Sequence, residues 1–321
     1  MLHLRLVVPP DLLPIVLGRL QRAPEVTNLW HVAEAVLKPP GDLVSCDVAK
    51  EEGSRLVAEL RELGLDQRGS IAVEDVDASI SRGALAAERL APGSPADAVV
   101  WEEVESRLSE SAVLSVSFLL LMTLATLIAA VGIVTDSIVL IIGAMVVGPE
   151  YGPIAGVCVA IIEGRPREMV RSLQALLLGF PLAIAAAGGL TLALIAAGFA
   201  PEALGPTGRD LTIFISRPNW ASVIVAVLAG LAGMLAVISA KSGALIGVLI
   251  SITTIPAAAN VGVAIAYANW GESGGAAVHL AINLAALLVS GLVVLTVAAR
   301  SRRRRRSRHD VSSSADGPSP D

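Results

Sequence analysis

The sequence predicts an α-helical polytopic membrane protein with a small α+β domain at its N-terminus. Three observations support this fold class. The 321 residues are 54% hydrophobic with a mean hydropathy of +0.70, which is more apolar than an ordinary soluble domain. Most charged residues lie before residue 112 or after residue 299. The apolar middle of the chain contains an internal repeat, so we expect a soluble domain followed by several membrane-spanning helices.

The first 75 residues show the periodicities of alternating strands and helices. The predicted elements are a strand at 2–8, a helix to Leu20, strands at about 25–37 and 42–48, a helix at 51–63 and a strand at 70–73. This β-α-β-β-α-β order is that of a ferredoxin-like domain, expected here in the cytoplasm. His3, His31 and Cys46 lack the spacing of a metal motif, so we expect packing or surface roles for them and no cofactor.

Residues 76–111 are expected to connect the two domains. Up to Ala98 the composition shifts to Ser, Gly, Pro and acidic residues, which is typical of a linker. From Val100 to Leu108 apolar residues recur at helical spacing among acidic ones. This pattern predicts an amphipathic helix, which lies either at the membrane surface before the first span or against the N-terminal domain.

Six apolar segments within residues 112–299 are each long enough to cross the ~30 Å hydrocarbon core as a helix. They lie at about 113–134, 138–162, 170–198, 221–240, 244–267 and 276–299. An even number of spans places both termini on one side, and Arg and Lys concentrate on that side, in the loop at 163–171, at Lys241 and in the tail. The positive-inside rule therefore predicts a multi-pass protein of the cell membrane with both termini in the cytoplasm.

Residues 300–321 form a tail that is predicted to be basic and then disordered. The arginines from Arg302 to Arg306 directly follow the last span, so we expect them to contact anionic lipid and not nucleic acid. The N-terminus lacks a basic segment followed by an apolar one, so we expect no cleavable signal peptide.

A shift of 104 positions superposes residues 124–161 on residues 228–265 without a gap, and ten of the 38 aligned pairs are identical. The same offset lays the third span on the sixth. The membrane domain is therefore predicted to be a tandem of three-helix units, at 112–198 and 216–299. Because three is odd, the second unit crosses the membrane in the opposite sense. Many secondary transporters are built from such 3+3 inverted repeats, with a binding site at interrupted helices near the midplane.

The second and fifth spans carry residues that are unusual in membrane helices, because Pro removes a backbone donor and an ionisable group is costly at this depth. In the second span these residues are Pro149, Glu150, Tyr151, Gly152 and Pro153, and at the matching depth of the fifth span they are Thr254, Pro256 and Asn260. Such groups can bind an ion or solute and line its pathway. The alternatives are a carboxyl hydrogen-bonded within the bundle, prolines that only bend the helices, and small residues that only allow close packing.

Five further polar residues are candidates for a gate or a proton relay. His279 and Asn283 lie four residues apart on one face of the sixth span, where they can relay protons or hydrogen-bond between helices. Asp136 lies in the turn before the second span. Arg217 and Asn219 lie just before the fourth span, and they can equally anchor that helix at the interface.

Several short segments carry a family resemblance. They are Asp136-Ser137, Ile142-Gly143-Ala144-Met145-Val146, Gly152-Pro153-Ile154, Ser216-Arg217-Pro218-Asn219, and the stretches at 228–233 and 256–260. At these positions the chain resembles the bacterial and archaeal membrane proteins grouped as domain of unknown function 389, over about residues 110–300. The resemblance implies an integral membrane protein. The family has no settled biochemical activity, so the substrate stays open.

These patterns favour a transporter or channel for an ion or small solute, with its site at the interrupted second and fifth spans. The alternative is a membrane-anchored sensor or oligomeric scaffold that signals through the N-terminal domain, and a homo-oligomer fits either hypothesis. An enzyme is not expected, because the spans contain no Ser-His pair, no paired carboxylates and no HExxH motif.

Overall fold

The computed structural model describes residues 1–76, 79, 81–90, 113–201, 220–239 and 253–315. The chain divides into two compact units, Met1–Val104 and Glu105–Asp321. The predicted amphipathic helix at 100–108 lies outside the described residues.

The first unit is a four-stranded antiparallel sheet with helices. Its elements are β1 (Leu2–Val8), α1 (Leu13–Arg22), β2 (Val26–Leu37), β3 (Pro40–Val48), α2 (Lys50–Glu62), α3 (Leu65–Arg68), β4 (Ser70–Asp75) and α4 (Arg82–Leu90). The strand order is β2-β3-β1-β4, and every neighbouring pair is antiparallel. The predicted order of strands and long helices is therefore found, and the one-turn helix α3 is added to it.

One face of this sheet forms the core of the unit. Leu2, Leu4 and Leu6 alternate along β1 with more exposed residues, and all three are fully or almost fully buried. Apolar residues of β3, α1 and α2 complete the same cluster. The helix α2 ends as the sequence indicates, because Gly64 directly after its last turn has φ +75°, which only Gly adopts without cost.

The edge strand β2 is irregular at two places. Asn28 and Glu34 have positive φ values of 51° and 52°, and the β2–β3 register shifts beside each of them. The Asn28 side chain donates to Asp47, and the Glu34 backbone N–H donates to Asp42, both on β3. Bulges of this kind twist an edge strand away from further pairing.

The linker prediction is wrong for residues 82–90, which form the helix α4. The Ser81 hydroxyl caps this helix by accepting from the Ala84 backbone N–H at 2.9 Å. Ala84 and Ala87 are each 2% exposed, and α4 packs on β2 and β3. The Gly, Ser and acidic residues around this segment therefore predict a linker, although the segment contains a short alanine-rich helix that the sheet stabilises.

The second unit consists of apolar helices. Its described helices are α5 (Val116–Val134), α6 (Ile138–Val147), α7 (Tyr151–Glu163), α8 (Pro166–Ala196), α9 (Trp220–Ile238), α10 (Thr254–Ala266) and α11 (Trp270–Ala315). Among the described residues, four helices are long and apolar enough to cross a membrane, and the number is five if α6 and α7, which are bent by 44° at their break, form one span. Residues 244–252 of the predicted fifth span lie outside the described part of the chain.

The helices of this unit pack through small residues. α5 packs on α6 and α8, α9 on α11, and α7 on both α8 and α11, while α10 contacts α5, α8 and α11. At the crossing of α8 and α10 the backbones touch, because a Cβ added to Gly262 would lie 2.4 Å from the Ile184 carbonyl oxygen. Such contacts let helices approach closely in an apolar solvent, where packing drives association.

Candidate functional site

The second span is interrupted where its prolines predict. α6 ends at Val147, α7 begins at Tyr151, and the two helices are bent by 44°. Pro149 lies between them. Pro153 lies in the first turn of α7, where a backbone N–H has no helical partner, so the helix loses no hydrogen bond there. The break therefore brings the last backbone C=O groups of α6 and the first backbone N–H groups of α7 close to one another.

Glu150 lies in this break and is 2% exposed. The Thr254 hydroxyl donates a hydrogen bond of 2.6 Å to its Oε1 atom. Its Oε2 atom is buried and has no hydrogen-bond partner among the described residues. This oxygen lies against Gly148, since a Cβ built on that glycine would be 2.4 Å from it. Oε1 therefore has a hydrogen-bond donor within the bundle, and Oε2 can accept a further hydrogen bond.

The partner of Glu150 comes from the beginning of α10. Thr254 is the first residue of that helix and is fully buried. Pro256 lies in its first turn, where its missing backbone N–H costs no helical hydrogen bond. The predicted interruption of the fifth span falls before Thr254, on residues that lie outside the described part of the chain. Asn260, one turn further along α10, is also fully buried.

A second polar group lies next to the first. The Asn283 side chain donates to Thr253 Oγ1 at 2.8 Å, and His279 Nε2 lies 3.4 Å from the same hydroxyl. His279 and Asn283 are 1% and 2% exposed. Because Thr253 directly precedes Thr254, the Glu150–Thr254 pair and the group of Thr253, His279 and Asn283 are adjacent at the beginning of α10. The structure therefore brings His279 and Asn283 to the site, and Thr253 is the connecting residue.

Other predicted site residues lie outside this polar group. Tyr151 is 5% exposed and packs on α9, where a Cβ on Gly233 would be 2.5 Å from its Oη atom. Gly152 is half-buried in the first turn of α7. Asp136 lies in the turn between α5 and α6 with φ 48°, and the ten residues of α6 separate it from the break by about 15 Å. Arg217 and Asn219 lie outside the described residues.

Glu150 has no charged neighbour of opposite sign in the described part of its unit. The other charged side chains described there lie at or near the ends of the spans, at Asp136, Glu163, Arg165, Arg167, Glu168, Arg171, Glu272 and Arg300. An isolated charge buried in an apolar bundle is strongly unfavourable. The site is therefore suited to a carboxyl group that is neutralised by what it binds.

The first unit contains a separate chain of hydrogen bonds that the sequence does not reveal. His3 Nδ1 lies 2.7 Å from Asp47, and His3 Nε2 lies 2.9 Å from the Ser45 hydroxyl, which donates to the Leu4 carbonyl. A Ser-His-Asp chain is the arrangement of a nucleophilic site. Ser45 is only 1% exposed, however, and its proton is held by a backbone carbonyl. These hydrogen bonds therefore connect β1 to β3 and do not activate Ser45 as a nucleophile.

His31 and Cys46 do not join that chain. His31 Nε2 lies 3.1 Å from Asp42. The pKa of the Asp42 carboxyl is lowered, first by the Glu34 backbone N–H at 2.7 Å and then by His31. Cys46 lies in the core on the opposite face of β3 from Ser45, and burial raises the pKa of its thiol to about 12.

These apolar helices and the interrupted span define a multi-pass membrane protein. Residues 145–289 match the family described as "Domain of unknown function (DUF389)", which confirms the family resemblance for that part of the chain. Over 198 residues the chain is 28% identical to a protein of Methanocaldococcus jannaschii named "Uncharacterized protein MJ0678". The match covers 62% of this chain and 59% of that relative. No solved structure matches.

Proposed function

We propose that the protein is a transporter or channel for an ion or small solute, with its site between the α6–α7 break and the beginning of α10. The observation that carries this proposal is the buried hydrogen bond between Thr254 and Glu150. An ionisable residue inside a membrane bundle is by default a candidate for function. Glu150 Oε2, which has no hydrogen-bond partner in the part of the chain that the structure describes, provides the position at which a donor or cation would bind.

The proposed architecture is six spans in a 3+3 inverted repeat. The helix bounds support it, because α5 at Val116–Val134 and α9 at Trp220–Ile238 differ by the offset of 104 residues. The third spans, Pro166–Ala196 and Trp270–Arg300, differ by the same offset. The turns before them also agree, since Gly164 and Ala268 both have positive φ, of 67° and 53°.

The hydrogen bond at the site fits this symmetry. Glu150 and Thr254 are separated by 104 residues, so each is the equivalent of the other in the two repeats. Under a two-fold relation, a residue that contacts its own equivalent lies at the axis. In inverted-repeat transporters that axis runs through the membrane midplane at the substrate site. The pair would therefore occupy the position where both repeats contribute to binding.

The proposed topology places both termini and the arginine-rich tail at the cytoplasmic face of the cell membrane, where the tail would contact anionic lipid. The N-terminal unit would then be a cytoplasmic ferredoxin-like domain, which its antiparallel strand order β2-β3-β1-β4 supports. In this proposal the unit regulates the membrane domain or joins copies of it.

Flux in proteoliposomes tests the proposal. The purified chain is reconstituted, and the movement of H⁺, Na⁺, K⁺, Cl⁻ and small organic solutes is followed. We expect flux above that of empty vesicles for at least one of them, reduced by Glu150→Gln. Glu163→Gln is the matched control, because it neutralises an exposed carboxyl at the end of the same helix. Equal flux in the two variants would remove Glu150 from the mechanism.

A sensor or scaffold is the second candidate. It is favoured by the enclosure of Glu150 within the described bundle and by the exposed apolar side chains of the edge strand β2, with Trp30 47% and Leu37 91% exposed. This candidate predicts that no solute moves under any gradient. It also predicts that Trp30→Ser abolishes self-association of the full chain in detergent.

A further inference from the structure

We infer that the ion bound at Glu150 is the proton, and that it exchanges with one side of the membrane through Thr253, His279 and Asn283. This inference rests on the proposed function and names its ion. It starts from the buried carboxyl oxygen that has no partner among the described residues, Glu150 Oε2. A carboxylate oxygen accepts hydrogen bonds, so the missing partner is a proton, an N–H or O–H donor, or a metal cation.

The space beside Oε2 favours the smallest of these partners. A Cβ placed on Gly148 would be 2.4 Å from Oε2 and 2.7 Å from Ile255 Cγ1, so Gly148 and the Ile255 side chain both lie close to this oxygen. A proton occupies no volume there. Ions such as Ca²⁺ and Mg²⁺ need six or more oxygen ligands, and no cluster of three His, Cys, Asp or Glu residues occurs in the part of the chain that the structure describes.

The charges around the site favour neutralisation as well. No described Lys or Arg lies in the middle of a span near Glu150, because the described basic side chains lie at or near the ends of the spans. Apart from the charged residues at or near the ends of the spans, the titratable side chains described on α7, on α10 and on the helices packed against them are Tyr151 and Cys158 of α7 and His279 of α11. None of them carries a permanent positive charge. A bound proton removes the charge of the carboxyl without any further partner.

The second polar group gives the proton a one-sided path. Thr254 contacts Glu150, and the preceding Thr253 contacts both Asn283 and His279, so exchangeable groups continue from α10 to α11. Under the offset of 104, the equivalents of Thr253, His279 and Asn283 are Pro149, Ala175 and Gly179, whose side chains exchange no protons. The path therefore exists in the second repeat alone.

The proposed topology gives this path a direction. His279 lies nine residues after Trp270, the first residue of α11, which corresponds to about 13 Å along the helix. In the 3+3 arrangement α11 begins at the external face. The proton would therefore enter or leave Glu150 from outside, and access from the cytoplasm would require the first repeat to move.

Infrared spectroscopy of the full chain in lipid nanodiscs tests the inference without any solute. The stretching band of a protonated carboxyl is recorded as the pH is varied over the range in which the protein stays folded. We expect a titrating band that is absent in Glu150→Gln and present in Glu163→Gln. Thr254→Val retains the carboxyl and removes its donor, so the band should persist at a shifted frequency. The inference is overturned if no titrating band depends on Glu150.

The path is tested by the rate at which this band shifts after transfer to D₂O. His279→Leu should slow the exchange roughly tenfold or more, as expected when a positioned proton-transfer group is lost. Thr191→Val is the matched control, because Thr191 is buried and its hydroxyl donates to its own helix at Ala187. Unchanged exchange in His279→Leu would exclude the path.

The two proposals fail separately. A titrating Glu150 band without flux of any solute would refute transport and leave the proton site. Glu150-dependent Na⁺ flux without a titrating band would refute the proton and leave transport.

Discussion

The crossing of α8 and α10 makes a sharp prediction for Gly262→Ala. The added Cβ would lie 2.4 Å from the Ile184 carbonyl oxygen, 2.9 Å from the Gly188 backbone nitrogen and 3.1 Å from Ala187 Cβ. Two of these atoms belong to the backbone and cannot rotate away. The helices must separate by about 1 Å to reach ordinary contact, which begins near 3.4 Å. Overpacking of this kind costs about 1–3 kcal/mol.

Gly189, which follows Gly188 on α8, provides the control. A Cβ on Gly189 meets nothing within 4 Å, so Gly189→Ala should gain up to about 1 kcal/mol from the lower flexibility of the unfolded chain. The two identical substitutions should therefore have opposite effects on thermal unfolding in detergent, with a difference of about 1–4 kcal/mol. Equal unfolding temperatures for the two variants would refute the close crossing.

The remaining predictions concern the site and the N-terminal unit. Thr254→Val should destabilise the folded chain by about 1–3 kcal/mol, because it leaves a buried carboxyl oxygen without its donor; Thr191→Val should cost less in the same detergent unfolding assay, and equal costs would argue against the Glu150 bond. The lowered pKa of Asp42 means that its contribution to stability is present above about pH 4, the unfolded value, and is lost as pH falls through the folded value. Protection of the Glu34 amide hydrogen from exchange, relative to an unstructured peptide at the same pH, should therefore fall on acidification in this range, and Asp42→Asn should remove that pH dependence; an unchanged protection profile would contradict the contact. The Cys46 thiol, with a pKa of about 12, should not react with iodoacetamide at neutral pH until the protein unfolds, and labelling of folded protein would show that the core is open.

The sequence predicts much of the fold because its signals are local. Alternation along β1 and the glycine at 64 define strands and a helix end without knowledge of the rest of the chain. The prolines at 149 and 153 likewise place the break in the second span. The helix α4 was missed because its stability depends on two alanines packed against the sheet, and no short-range pattern reveals that contact.

The site is predictable in its residues and less so in its contacts. The offset of 104 aligns Glu150 with Thr254, but only the folded chain shows that equivalent residues hydrogen-bond to each other. The spacing of His279 and Asn283 predicts a shared face, whereas their common partner Thr253 comes from another helix. The Ser45–His3 contact depends on strand register, which single strands do not specify.

Water access to the α6–α7 break tests the central claim most directly. Each of Glu150→Cys and Thr254→Cys is treated in native membranes with a charged, water-borne thiosulfonate reagent. Val139→Cys, on a 74% exposed apolar position, and Ala187→Cys, on a fully buried one, serve as controls. A transport pathway that opens when the two repeats move predicts that both site cysteines, buried in this structure, are modified faster than either control. Site cysteines as unreactive as Ala187→Cys would contradict a pathway at Glu150.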